Sequence, residues 1–203
     1  MFVKFLRYTF DMKKVVLLYG KFSEELTALP ECNPSDDRNW MGWTKKQLLE
    51  RGYRVICPIV PKVWEAPYSE WKKVLDEAVI DNDTTLVGLS AGGAACVRYI
   101  AEGKKGISKL ILIAPAPYVE KEESVSVVDD FNTFHVGDDV KNQIKNGTTI
   151  FVSDDEPLAG IHDAVKVYKK KFNARVIHFT DRGHFSFLIK TFPELLEEIA
   201  TSF

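Results

Sequence analysis

The chain has 203 residues, 45% of them hydrophobic and 28% charged, a make-up that fits one folded globular domain and excludes general disorder. A net charge of −2 supplies no field that would draw in nucleic acid or an anionic membrane surface. No segment approaches the ~18 consecutive apolar residues that cross a bilayer.

Residues 1–11 hold Lys4 and Arg7 among several aromatics, without a continuous apolar stretch or a small-residue cleavage site. They read as an N-terminal extension or a misassigned start ahead of a single domain over residues 12–203. Val15 to Leu18 is a short, partly β-branched run ending at Gly20, the pattern of a strand buried on both faces. A second such run covers Tyr53 to Cys57. Between them Trp40, Trp43, Thr44, Gln47, Leu48 and Leu49 recur at helical spacing, with Gly52 as the stop. The alternation continues with a helix over Ser69 to Ile80, a strand over Thr84 to Val87, a helix over Gly92 to Ala101 and a strand over Lys109 to Ala114.

Residues Pro115 to Asn146 break the rhythm with two prolines, the charged stretch Glu120 to Glu123 and a short helical pattern over Asp138 to Lys145. This reads as an excursion over the sheet, too short for a large lid. The strand Thr148 to Ser153, helix Leu158 to Lys171, strand Arg175 to Phe179 and helix Phe192 to Thr201 then restore the alternation. The result is an α/β fold: a six-stranded, mainly parallel sheet with helices on both faces, whose ligands bind beyond the carboxyl ends of the strands. Cys32, Cys57 and Cys96 are odd in number and widely spaced, so neither a disulfide framework nor a metal site is expected and a reducing, cytoplasmic setting is.

Gly88, Leu89, Ser90, Ala91 and Gly92 spell G-x-S-x-G between a strand and a helix. A nucleophile needs this arrangement because the sharp turn lifts the hydroxyl above the sheet and small neighbours avoid collision there. The same five residues in isolation would be an ordinary tight turn. What decides between the readings is an acid and then a histidine, each just past a later strand. Asp154, Asp155 and Glu156 follow the strand ending at Ser153, where one of them could orient a histidine and the others cap the next helix. His184 follows the last strand in Asp181-Arg182-Gly183-His184-Phe185 and is the expected base. His135, His162 and His178 fall in the excursion, a helix and a strand, and read as surface or packing residues. The oxyanion donors are expected at the backbone N–H of Ala91, and of Lys21 or Phe22 behind Gly20. Trp40, Trp43 and Trp71 lie on amphipathic helices and read as packing in preference to an acyl pocket, and Cys96 as a buried apolar group.

These residues resemble the family of YdeN-like hydrolases and retinoblastoma-binding protein 9, a lid-poor branch of the α/β-hydrolases. The resemblance rests on Gly20, the Asn39, Trp40, Trp43 helix, the Pro58 to Trp71 segment, the Ser90 turn, the Ser153 to Pro157 loop and the Gly183, His184, Phe185 triplet. It implies a three-layer α/β-hydrolase fold with nucleophile Ser90, base His184 and an acid just before the proline, which is Glu156. The family usually carries Asp there, with Asp155 as the substitute, and often His or Pro where Tyr19 precedes Gly20. The expectation is a cofactor-free, metal-free serine hydrolase acting on a small ester or peptide-like amide through an acyl-enzyme. The alternatives are a non-catalytic binding protein of the same fold and an acyltransferase. Oligomeric state is not legible.

Overall fold

The computed structural model describes residues 13–103, 106–120 and 131–201. The N-terminal extension and most of the charged stretch Glu120 to Glu123 lie outside the described residues. In chain order the elements are β1 (Lys14–Leu18), α1 (Glu24–Thr27), α2 (Trp40–Glu50), β2 (Arg54–Ile56), α3 (Tyr68–Glu77), β3 (Thr84–Leu89) and α4 (Ala91–Gly103). They continue with β4 (Lys109–Ile113), β5 (Val119–Glu120), β6 (Thr133–Phe134), β7 (Thr148–Ser153), α5 (Ile161–Phe172), β8 (Arg175–Phe179) and α6 (Pro193–Ala200).

Apolar runs with no polar side, such as Val15 to Leu18, can only settle where both faces are covered. Every residue of β1, β3, β4 and β7 is accordingly buried, while β2 and β8 are part-exposed at the edges. The six strands pair in the order β2-β1-β3-β4-β7-β8, all parallel. From β1 the chain steps outward to β2, then returns past β1 to β3 and moves the other way. Right-handed crossovers therefore place α2 on one face and α3, α4 and α5 on the other. In keeping with this, α2 packs on α6 and α3 on α4. The reversal occurs between β1 and β3, whose carboxyl ends form the crevice where such sheets take ligands.

Asn39 caps α2, its side-chain oxygen accepting from the N–H groups of Met41 and Gly42 at 2.8 and 3.0 Å. At the other end Gly52 takes φ +81°, as its reading as a stop requires. In the excursion the helical pattern over Asp138 to Lys145 forms only a 3-10 turn at Val140–Gln143, too short a segment to nucleate an α-helix without tertiary support. The parallel pair β5 and β6 has no sequence signal, being two residues long on each side. Helix α5 starts at Ile161, after the Leu158 expected, because Gly160 adopts φ +83° just before it.

The terminal helix is held by an unusual core group. The Lys109 ammonium donates to the Glu198 backbone carbonyl at 2.6 Å and pairs with its carboxylate at 2.8 Å. Thr149 Oγ1 donates to the same carboxylate at 2.6 Å, and Arg175 pairs with it as well. A buried charge survives only with such partners, and these draw α6 onto β4, β7 and β8.

Candidate active site

Ser90 stands at the carboxyl end of β3 with φ +53°, a left-handed conformation rare for a residue with a β-carbon. Its surroundings hold it there. Ser90 N–H donates to the Ile113 carbonyl at 2.9 Å, and its own carbonyl accepts from Gly93 and Ala116 at 2.9 and 3.0 Å. The glycines are required by space: a β-carbon on Gly88 would lie 2.6 Å from Gly92 O, and one on Gly92 would lie 2.3 Å from Tyr19 O. Gly20 faces Ser90 so closely that its β-carbon would sit 2.9 Å from Ser90 Cβ. The loop of Gly20, Lys21 and Phe22 thus starts against the nucleophile candidate. Ala91 opens α4, where the first N–H groups of a helix lack partners within it.

Glu156 and His184 are in direct contact. His184 Nδ1 lies 2.9 and 2.8 Å from the two carboxylate oxygens, and the Glu156 side chain is wholly buried. Glu156 Oε1 also accepts from the Leu158 N–H at 3.0 Å, which fixes the carboxylate plane. Asp155 goes elsewhere: it accepts from the Gly183 N–H at 2.8 Å and from the Ser153 hydroxyl. The Ser153 hydroxyl and the Gly183 N–H hold the Asp155 carboxyl below its ordinary range. Ser153 Oγ accepts in turn from the Arg182 N–H at 2.9 Å. Glu156 therefore contacts the imidazole, and Asp155 with Ser153 secures the backbone leading to it.

Gly183 and Phe185 flank His184 with φ +50° and +52°. Two residues hold the strained Phe185: Trp40, far away in sequence, donates from Nε1 to its carbonyl at 2.8 Å, and Phe192 stacks on its ring at 5.4 Å. Trp40 also stacks on Tyr19, the residue before Gly20, at 6.2 Å. Ser90, Gly20, Tyr19, Trp40, Phe185 and His184 thus form one chain of contacts. Trp40 reads as core from sequence alone, and only the fold reveals that its indole N–H ties the histidine loop down. Ser153 was also missed, although its place directly before the acid cluster at a strand end was a usable signal.

The other candidates separate from the site. His135 pairs with Glu120, His178 with Asp154 at 3.2 Å, and His162 is exposed on α5. Burial pushes the Cys96 thiol up to about 12, which suits an inert core group. The Lys21 ammonium lies 4.1 Å above the Phe131 ring. Beside Phe22 a cleft of about 240 Å³ opens between the loop after β1 and the segment from Pro58 to Trp64, with Trp71 in its wall. Trp71 is thus both fully buried and part of a cavity lining. Among the described residues no group of three or more His, Cys, Asp or Glu side chains is placed to hold a metal, and no helix is long and apolar enough to cross a membrane.

Comparison with known proteins agrees with this architecture. The YdeN protein of Bacillus subtilis superposes with a TM-score of 0.72 at 16% identity, covering 93% of this chain and 97% of that one. A YdeN-like hydrolase from Pectobacterium atrosepticum gives 0.57 at 16% identity, covering 93% and 89%. Naproxen esterase of Bacillus subtilis gives 0.59 at 11% identity, covering 93% and 82%. The fold is that of the α/β hydrolases. A family model described as serine hydrolase matches residues 27–190, so the chain belongs to the serine hydrolase family.

Proposed function

We propose that the protein cleaves small ester or amide substrates through an acyl-enzyme, with Ser90 as nucleophile, His184 as base and Glu156 as the acid that orients it. The observation that carries this reading is the pair of Glu156 oxygens at 2.8 and 2.9 Å from His184 Nδ1. That contact fixes the tautomer with the proton on Nδ1, leaves Nε2 to accept the Ser90 proton, and stabilises the imidazolium that results. Ser90 Oγ attacks the carbonyl carbon, its proton passes to His184, and the oxyanion is received by the N–H of Ala91 and of Lys21 or Phe22. Collapse of the tetrahedral intermediate expels the leaving group, which takes the proton back from His184. Water, deprotonated by the same imidazole, then releases the acid and restores Ser90. Asp155 takes no part in proton transfer and positions the loop.

The test is labelling with a fluorophosphonate, comparing the natural chain with Ser90→Ala and His184→Ala. Covalent labelling that disappears in the first variant and nearly disappears in the second is the expected result. A folded natural chain that does not label contradicts the proposal. Analysis of products in the presence of alcohols and thiols separates hydrolysis from acyl transfer.

A further inference from the structure

We infer that the cleft beside Phe22 is the acyl pocket of this site and selects straight, uncharged acyl chains of medium length. The inference rests on the hydrolase reading above. Its first support is topological. His184 must return its proton to the leaving group, so the leaving group departs toward the histidine, which arrives from β8. The acyl chain extends from the opposite side of the carbonyl carbon. In the strand order, β1 and β2 lie on that opposite side, and their following loops line the cleft.

Continuity is the second support. Phe22 belongs to the loop expected to hold the oxyanion and also to the cleft wall. Gly20, two residues earlier, lies against Ser90. A chain leaving the carbonyl carbon therefore meets the cleft within a few bonds. The third support is chemical. The buried part of the wall includes Leu18, Val60, Val63 and Trp71, while Lys62 and Asn33 are exposed, and no carboxylate lines it. The Lys62 ammonium pairs with Glu65 at 3.2 Å. Methylenes gain from leaving water in such a wall, whereas a charged chain end would lose its hydration without a partner. A finite volume of about 240 Å³ then bounds the length, since a chain that outgrows the cleft leaves its remaining methylenes in water.

The experiment is kcat/KM for p-nitrophenyl esters from acetyl to tetradecanoyl, together with binding of acetamide and octanamide to Ser90→Ala, followed by tryptophan emission. Values are expected to rise by up to about fourfold per methylene toward octanoyl and to fall for longer chains. Octanamide carries six more methylenes than acetamide and, on the same gain per methylene, should bind at least about a hundred times more tightly. Ile59 is 61% exposed at the cleft, so Ile59→Asp leaves the fold intact. It should lower octanoyl turnover about tenfold by presenting a charge to the chain, and acetyl turnover by a clearly smaller factor. Val63→Trp should move the optimum to shorter chains. Hydrolysis of acetyl and octanoyl esters at equal efficiency, or equal loss of both in Ile59→Asp, overturns the acyl pocket while the hydrolase reading stands. Length-dependent octanamide binding without turnover of any ester overturns the hydrolase reading, and the acyl assignment with it.

Discussion

Replacing Glu156 by Gln removes a charge without removing volume, and the structure gives the size of the effect. The carboxylate lies 2.8 Å from Nδ1 and is fully buried. Unit charges ~3 Å apart at an effective dielectric of ~20 attract by about 5 kcal/mol, and in the proposed mechanism this attraction is realised only while His184 carries the Ser90 proton. A neutral amide keeps part of it as a dipole, so a loss of about 4 kcal/mol is expected, roughly a thousandfold in kcat. The amide also brings a donor against Nδ1–H, since both carboxylate oxygens now approach that nitrogen. Asp155→Asn keeps an acceptor for the Gly183 N–H and should cost less than about tenfold, the scale of one weakened neutral hydrogen bond. Steady-state hydrolysis of p-nitrophenyl acetate, with thermal unfolding of each variant as the check on folding, measures both. If Asp155→Asn loses as much kcat as Glu156→Gln, the assignment of roles is wrong.

Three further outcomes are expected. Gly20→Ala would bring a β-carbon to 2.9 Å from Ser90 Cβ and 3.2 Å from Leu89 O; kcat/KM should fall about a hundredfold for a displacement near 1 Å, while circular dichroism stays native. Trp40→Phe removes the 2.8 Å donor to the buried Phe185 carbonyl, so unfolding in urea should show a loss of about 1–3 kcal/mol with a fall in kcat from the freed histidine loop. Glu198→Gln tests the core ion group by its pH dependence. Burial alone would raise the Glu198 carboxyl, yet hydrogen bonds from Lys109, Thr149 and Arg175, with the Lys109 charge, bring it below its ordinary 4.5. A carboxyl lowered on folding contributes stability that is complete above about 4.5 and is lost as pH falls through the lower folded value. The stability of the natural chain should therefore drop more steeply below 4.5 than that of Glu198→Gln, and parallel acid limbs would refute the linkage.

The strands were the most legible part of the sequence. Thr148–Ser153 and Arg175–Phe179 fall on the expected residues, because each carries a β-branched or aromatic centre, Ile150-Phe151-Val152 and Val176-Ile177, between polar residues. The turn at Ser90 was legible because only small residues fit there, and a β-carbon on Gly88 or Gly92 would collide with backbone. What was not legible depends on partners far apart in the chain. Glu156 and Asp155 are neighbours of like charge, and nothing local says which faces an imidazole; that depends on where the loop ending at His184 lies. The indole of Trp40 is apolar in any pattern analysis, yet its N–H bonds to a carbonyl 145 residues away. Trp71 sits on the apolar stripe of a helix, and a cavity alongside leaves no trace in that stripe.

The two halves of the candidate site are held by different physics. Ser90, besides its backbone hydrogen bonds, is confined by exclusion: its left-handed backbone is wedged among Gly20, Gly88 and Gly92, where an added β-carbon meets main chain or Ser90 Cβ itself. His184 is fixed by attraction, through Glu156 on its ring, Asp155 on the preceding N–H and Trp40 on the following carbonyl. Steric exclusion is steep, so changes around Ser90 should abolish activity almost completely or leave it nearly untouched. Hydrogen bonds each contribute a separable amount, about 0.5–1.5 kcal/mol when neutral and about 1.5–3 kcal/mol when charged, so changes around His184 should be graded. They also share one group, so they should couple. A double-mutant cycle on Asp155→Asn and Trp40→Phe, which act on opposite sides of His184, should show an interaction in kcat of about 0.5 kcal/mol or more. Strict additivity would mean that the loop is held by its own backbone strain and not by these contacts.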